Sequence, residues 1–126
     1  GMEFCAFRER IEENIAVGDV LPNPGGGTST IVRIEDKGVR YRRGKSIMLL
    51  RWDIFYQAYR QFCGRFVNTG DLRALDNSFD SAARDPAGHS CNCTFAFMLL
   101  ERAGLADGIV KRGRRFGTHF LQAAAR

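Results

Sequence analysis

Hydrophobic residues recur at helical spacing in three segments of the chain. In residues 2–15 they are separated by three or four positions, with Glu and Arg between them, which predicts a short amphipathic helix. The same spacing predicts a second helix over residues 52–63, ended by Gly64. A third helix is predicted over residues 90–103, ended by Gly104, and its residues are apolar nearly all round.

Between the first two helices the pattern changes to that of strands. Residues 30–51 are rich in β-branched and aromatic residues and predict two or three antiparallel strands, with a hairpin turn at Asp36-Lys37-Gly38. Arg40 and Arg42 flank Tyr41 in strict alternation, so both should lie on one face of a strand. Residues 17–30 hold two prolines and three successive glycines and are predicted to form a loop.

Shorter elements follow the second helix. Residues 66–68 predict a strand, and residues 70–75 a small helix with Asn68 or Thr69 as its N-cap. A polar loop is predicted over residues 76–89.

The last element is expected to be a hairpin that pairs Ile109-Val110 with Phe120-Leu121, and its strands should be anchored by Ile109, Val110, Phe116 and Phe120. One apolar cluster is expected to join the C-terminal helices, formed by Trp52, Phe55, Tyr59, Phe62, Leu72, Phe95, Leu99 and Leu105.

Positive charge is concentrated in two segments. The net charge is +5, yet residues 37–51 and 108–126 contain no acidic residue at all. Such segments indicate a polyanionic partner, although solvated strand faces would show the same pattern. The candidate nucleic-acid-binding residues are Arg40, Arg42, Arg43, Lys45, Lys111, Arg112, Arg114 and Arg115.

A second candidate site is the segment "GHSCNC". His89, Cys91 and Cys93 are three candidate zinc ligands, but C-x-C is not the usual spacing of structural zinc and no second ligand pair is present. A thiol at a helix N-terminus beside a histidine would also suit a nucleophile. The alternative is that both cysteines are reduced, metal-free and buried, and we expect this arrangement.

The composition restricts the class of protein. No apolar run approaches the roughly 20 residues that a membrane-spanning helix needs, and the first residues show no apolar signal region, so a cytoplasmic location is expected. No catalytic constellation is recognisable, and we predict neither an enzyme nor a bound cofactor.

Residues 52–126 resemble a winged helix-turn-helix domain. The resemblance lies in the order helix, strand, helix, helix, basic hairpin, and above all in "LLERAGLADGIVKRGRRFGTHFLQ", residues 99–122. It implies DNA binding, with Lys111, Arg112, Arg114 and Arg115 of the wing on phosphates or in a minor groove. The chain departs from the family in its long connection at residues 76–89 and in its apolar third helix, since a base-reading helix needs an exposed polar face.

The predicted fold is α+β, with an N-terminal helix and a small antiparallel sheet in residues 1–51 and a winged-helix-like lobe with a β-hairpin wing in residues 52–126. The first functional hypothesis is a non-enzymatic nucleic-acid-binding protein. The alternatives are an accessory module that binds a protein, a ligand or a second copy of the chain, and a zinc- or thiol-dependent activity at the Cys/His segment.

Overall fold

A computed structural model describes residues 2–79 and 91–123, and it shows a mixed fold of helices and two antiparallel sheets. The elements in chain order are α1 (Phe4–Glu12), β1 (Val20–Pro22), β2 (Thr28–Ile34), β3 (Gly38–Arg43), β4 (Ser46–Arg51), α2 (Trp52–Phe62), β5 (Phe66–Asn68), α3 (Thr69–Leu75), a 3₁₀ turn (Asn77–Phe79), α4 (Cys91–Arg102), β6 (Val110–Arg112) and β7 (Arg115–His119). The prediction of an α+β fold with an N-terminal helix and a small antiparallel sheet is confirmed.

The first sheet has the strand order β1-β2-β3-β4. Strands β2 to β4 confirm the predicted antiparallel strands, and the turn before Gly38 lies where the sequence places it. The predicted loop over residues 17–30 is confirmed between β1 and β2, but the prediction was wrong for Val20–Pro22, which pairs with β2, and for the residues from Thr28 onward. Pro22 is tolerated there because β1 is an edge strand, and the three glycines are confined to the loop between β1 and β2.

The second sheet has the order β5-β7-β6 and contains the C-terminal hairpin. The expected pairing of residues 109–110 with 120–121 was wrong, since Val110 lies opposite Gly117. A two-residue turn, Gly113-Arg114, sets this register, and Gly113 has the φ of +62° that such turns favour. Val110 is 45% exposed and does not anchor the hairpin, whereas Phe120 is buried beyond the end of β7.

The helix ends follow the local signals of the sequence. Asn68 caps α3 in a reciprocal arrangement in which its side chain accepts from the N–H of Asp71 and the Asp71 side chain accepts from the N–H of Asn68. Gly64 follows α2 with a φ of +84°, and Gly104 follows α4 with a φ of +73°. Within the described residues no helix is both long and apolar enough to cross a membrane.

Helix α4 lies at the centre of the core. The side chains of residues 92–100 are all buried, and the helix packs against α1, α3, β4 and β7. The eight residues expected to form one apolar cluster all belong to the hydrophobic core, together with side chains from α1 and the first sheet. The helices and both sheets therefore share one hydrophobic core, whose members range from Phe7 in α1 to Phe120 after β7.

Candidate nucleic-acid interface

The C-terminal hairpin and the β3–β4 turn lie at the same end of the molecule. In the first sheet Arg43 of β3 lies opposite Ser29 of β2, so the β1–β2 loop and the β3–β4 turn project from the same end of the strands. The β1–β2 loop also contacts the hairpin, because a Cβ placed on Gly25 would lie 3.5 Å from Cε2 of Phe116. The fold thus brings together the ends of two basic segments that are far apart in sequence.

The four cations of the hairpin are divided between its two faces and its tip. Lys111 lies opposite Phe116, and its Nζ is 5.5 Å from the centroid of that ring. Both side chains are on the face of the hairpin that continues into the core at Phe120. Arg112 and Arg115 lie opposite each other on the other face. Arg114 occupies the turn and is exposed.

Arg112 and Arg115 are held close to the small helix α3 and the strand before it. The guanidinium carbon of Arg112 lies 3.8 Å from the centroid of the Phe66 ring, a cation–π contact. Arg115 extends over Gly70 in the first turn of α3, where a Cβ would overlap with Nη1 of the arginine. Both guanidinium groups are therefore positioned by neighbouring elements while their side chains stay exposed.

The cations of β3 are also divided. Arg40 and Arg42 lie on the outer face of the sheet, as their alternation with the buried Tyr41 predicts. Nε of Arg40 donates to Oε1 of Glu35 at 3.0 Å, so this cation is partly neutralised. Arg43 lies on the inner face, opposite the buried Ser29, and Lys45 is exposed in the turn.

Most of these cations have no acidic partner. Across residues 2–79 and 91–123, seven of the eight predicted site residues form neither an ion pair nor a side-chain hydrogen bond with a described residue: Arg42, Arg43, Lys45, Lys111, Arg112, Arg114 and Arg115. In contrast, Arg8 and Arg102 are paired with Glu12 and Asp19. Six of these unpaired cations lie at the end that carries the hairpin, while Lys37, Arg60 and Arg65 on other elements also lack an acidic partner among the described residues.

The third helix of the C-terminal part does not offer a base-reading surface. From Asn92 to Leu100 every side chain of α4 is buried, and only Glu101 and Arg102 are exposed at its end. A helix that reads bases must present polar side chains to the major groove. The buried helix α4 is therefore excluded as a base-reading element.

The Cys/His segment is described only in part. Cys93 is buried in the first turn of α4, as predicted, and its Sγ lies 3.4 Å from the carbonyl oxygen of Phe79 and 3.6 Å from that of Thr69. His89 and the side chain of Cys91 lie outside the described residues. In the described part of the chain no three His, Cys, Asp or Glu side chains are grouped to hold a metal ion. The proposed absence of zinc stays a prediction.

Sequence reasoning missed the β1–β2 loop as a neighbour of the basic hairpin. The loop runs over residues 23–27 and contains Gly25, Gly26 and Gly27, a run that indicates a turn but not what the turn contacts. Its contact with Phe116 links positions 91 residues apart in the chain.

Comparison with known proteins gives no relative from which a function can be transferred. No protein-family model matches the chain, and neither a curated protein nor a solved structure matches it.

Proposed function

We propose that this protein binds nucleic acid without catalysis, through contacts to backbone phosphates. The observation that supports this most directly is the convergence of unpaired cations at one end of the molecule. The interface that we propose consists of Arg43, Lys45, Lys111, Arg112, Arg114 and Arg115. Arginine guanidinium groups and lysine ammonium groups donate hydrogen bonds to phosphate oxygens, and contacts to phosphate require no particular base sequence.

We further propose that residues 52–126 form a winged-helix-like unit with the hairpin of β6 and β7 as its wing. Support comes from the order α2, β5, α3, α4, β6, β7, and from the pairing of β5 with β7, which attaches the hairpin to the helices. Because α4 is buried, this unit would bind through the wing and not through a helix inserted in the major groove. Binding should therefore depend weakly on base sequence and steeply on salt.

The test is to measure the affinity for fluorescently labelled DNA duplexes of two unrelated sequences by anisotropy, over a series of salt concentrations. We expect similar affinities for the two duplexes, and a linear fall of the logarithm of affinity with the logarithm of salt concentration. Replacing Arg114 and Arg115 with Ala should flatten this slope by up to about two units, since each phosphate contact contributes about 0.9.

The matched control replaces Arg33 and Lys37 with Ala. These two exposed cations lie near the β2–β3 turn, at the opposite end of the strands, and their removal changes the net charge by the same amount. The slope should stay as in the wild type. Equal slopes for both double variants, or no binding to either duplex at low salt, would refute the proposed interface.

The second candidate function is a module that binds a protein partner or a second copy of the chain. It is favoured by the outer face of the first sheet, where Val20 and Ile47 are 55% and 50% exposed. Both lie in one cross-strand row with Thr30 and Arg42. Two results together would support this function. The chain would bind no duplex, and its molar mass, measured by light scattering, would double as the concentration rises. The variant Ile47→Lys would then have the molar mass of the monomer.

A further inference from the structure

Asn23, at the start of the β1–β2 loop, carries a buried hydrogen-bond donor without an acceptor. The residue is 7% exposed, and its Oδ1 accepts a hydrogen bond from the Ser29 hydroxyl at 2.6 Å. Its Nδ2 is the one buried side-chain nitrogen or oxygen in residues 2–79 and 91–123 for which the structure shows no hydrogen bond. Burying an unpaired donor destabilises a fold, so its retention fits an acceptor that comes from outside the chain.

Gly27 of the loop lies directly beside this buried nitrogen. A Cβ on Gly27 would lie 3.8 Å from Nδ2, and Gly27 has none. Gly26 and Gly27 have φ values of +109° and +73°, which glycine adopts without strain. Gly25 and Gly27 are exposed residues, and within the described part of the chain their N–H groups donate to no acceptor. The loop therefore offers backbone donors beside the side-chain donor.

Two cations border the loop. Arg43 lies directly opposite Ser29, the residue bonded to Asn23, so its side chain leaves the strand on the same inner face. It is half-buried and has no ion-pair partner among the described residues. Lys111 lies over the Phe116 ring, and the edge of that ring contacts the loop at Gly25.

We propose that this corner binds a single phosphate group. The corner is formed by Asn23, the loop residues 25–27, Arg43 and Lys111. A phosphate has several acceptor oxygens, which can accept from Nδ2, from loop N–H groups and from the guanidinium at the same time. Two sources can supply this phosphate group. One is a nucleic-acid backbone, a source that rests on the proposed function, and the other is a small phosphorylated molecule, which does not.

The first experiment titrates the full chain with inorganic phosphate at constant ionic strength, followed by ¹⁵N–¹H NMR. We expect saturable shifts of the Asn23 side-chain NH₂ signals and of the Gly25 and Gly27 N–H signals. Arg43→Gln should weaken this binding at least about tenfold, because a charge-assisted hydrogen bond is lost. The matched control Arg42→Gln removes the same charge one residue away, on the outer face, and should change the dissociation constant by less than about twofold.

A second variant, Asn23→Asp, replaces the unpaired donor with a carboxylate oxygen but keeps an acceptor for the Ser29 hydroxyl. It should abolish phosphate binding. Because Arg43 is only half-buried, Arg43→Gln remains informative if Asn23→Asp fails to fold. Shifts that do not saturate, or equal weakening by Arg42→Gln and Arg43→Gln, would overturn the phosphate site, since they would indicate attraction to net charge alone.

The source of the phosphate is decided by repeating the measurement with a DNA oligonucleotide. If inorganic phosphate binds with the expected sensitivity to Arg43→Gln but the oligonucleotide does not bind, the phosphate site is supported and the proposed nucleic-acid function fails. If the oligonucleotide binds the wild type with the expected salt dependence, and inorganic phosphate shifts none of the three signals, the site is refuted while the proposed function stands.

Discussion

The ring of Tyr41 stacks on the ring of Phe95, with centroids 3.7 Å apart and planes inclined by 14°. The Tyr41 hydroxyl also donates to Oδ1 of Asn92 at 2.7 Å. Tyr41 belongs to β3 and the other two residues to α4, so these contacts attach the central helix to the inner face of the first sheet. Asn92 extends the connection, since its Nδ2 donates to the carbonyl oxygen of Ser78 at 2.8 Å.

Replacing Tyr41 with Phe should destabilise the fold by about 1–3 kcal/mol, because it leaves Oδ1 of the buried Asn92 without this donor. The stacked ring is kept, so the change removes only what the hydroxyl contributes. The free energy of unfolding is measured with urea. The matched control is Tyr56→Phe, which removes a hydroxyl that donates to the carbonyl oxygen of Met2, near the start of the chain. A loss for Tyr41→Phe no larger than that for Tyr56→Phe would contradict the assignment of Asn92 as a buried connecting residue.

Truncation of Leu99 tests the position of α4 in the core. Leu99 is fully buried, and Leu99→Ala should cost about 2–5 kcal/mol of unfolding free energy, from lost burial and from the cavity left behind. Val17, which is 62% exposed, serves as the control, and Val17→Ala should change the stability by less than about 0.5 kcal/mol. Equal effects of the two substitutions in thermal unfolding would show that α4 is not packed as described.

The stability should fall at alkaline pH because of Tyr59. Burial raises the pKa of Tyr59 well above its ordinary value of 10.0, with a further contribution from Cys63, and the hydroxyl donates to the carbonyl oxygen of Leu121 at 2.7 Å. Since the folded-state pKa is raised, the stabilisation is fully present below pH 10 and is lost as the pH rises above that value, where the unfolded chain loses its proton first.

Tyr59→Phe removes this titration. The variant should be less stable than the wild type at pH 8, by about 0.5–1.5 kcal/mol for the lost hydrogen bond, and should show a weaker fall in stability above pH 10. Urea unfolding at a series of pH values measures both quantities. An unchanged alkaline slope in the variant would exclude Tyr59 as the cause.

The ion pair of Arg40 with Glu35 predicts that this arginine contributes less to nucleic-acid binding than Arg43. Arg40 lies on the outer face, about 10 Å along the strand from Arg43 and so away from the hairpin end. Arg40→Gln should leave the affinity for duplex DNA within about twofold of the wild type, whereas Arg43→Gln should lower it several-fold. Anisotropy titrations at one low salt concentration compare the two variants, and a larger effect of Arg40→Gln would move the interface to the outer face of the sheet.

Several elements could be predicted because their signals are local. The spacing of Trp52, Phe55 and Tyr59 indicates α2, and the cap of α3 depends only on the order of Asn68 and Asp71. The burial of α4 was predicted in the same way, from apolar residues on all its faces.

Other features were not predictable from local patterns. Strand β1 has only three residues and contains Pro22, so it forms because β2 supplies a partner for its backbone. The register of the C-terminal hairpin was predicted incorrectly because apolar residues were paired by type, whereas the turn at Gly113-Arg114 places Arg112 opposite Arg115. The apolar side chain of Phe120 is buried in the core beyond the end of β7, and the residue does not pair with β6.

Local patterns are enough to indicate the helices, the three longer strands and the two acid-free basic segments, because periodicity, capping and charge are properties of neighbouring residues. Which cations lie together depends on how the strands and helices pack. It placed Arg43 and Lys45 at the end that carries the hairpin, left Arg40 paired with Glu35, and brought the glycine loop against Phe116. Strand order and packing against α4 set these distances, and both depend on contacts between residues far apart in the chain.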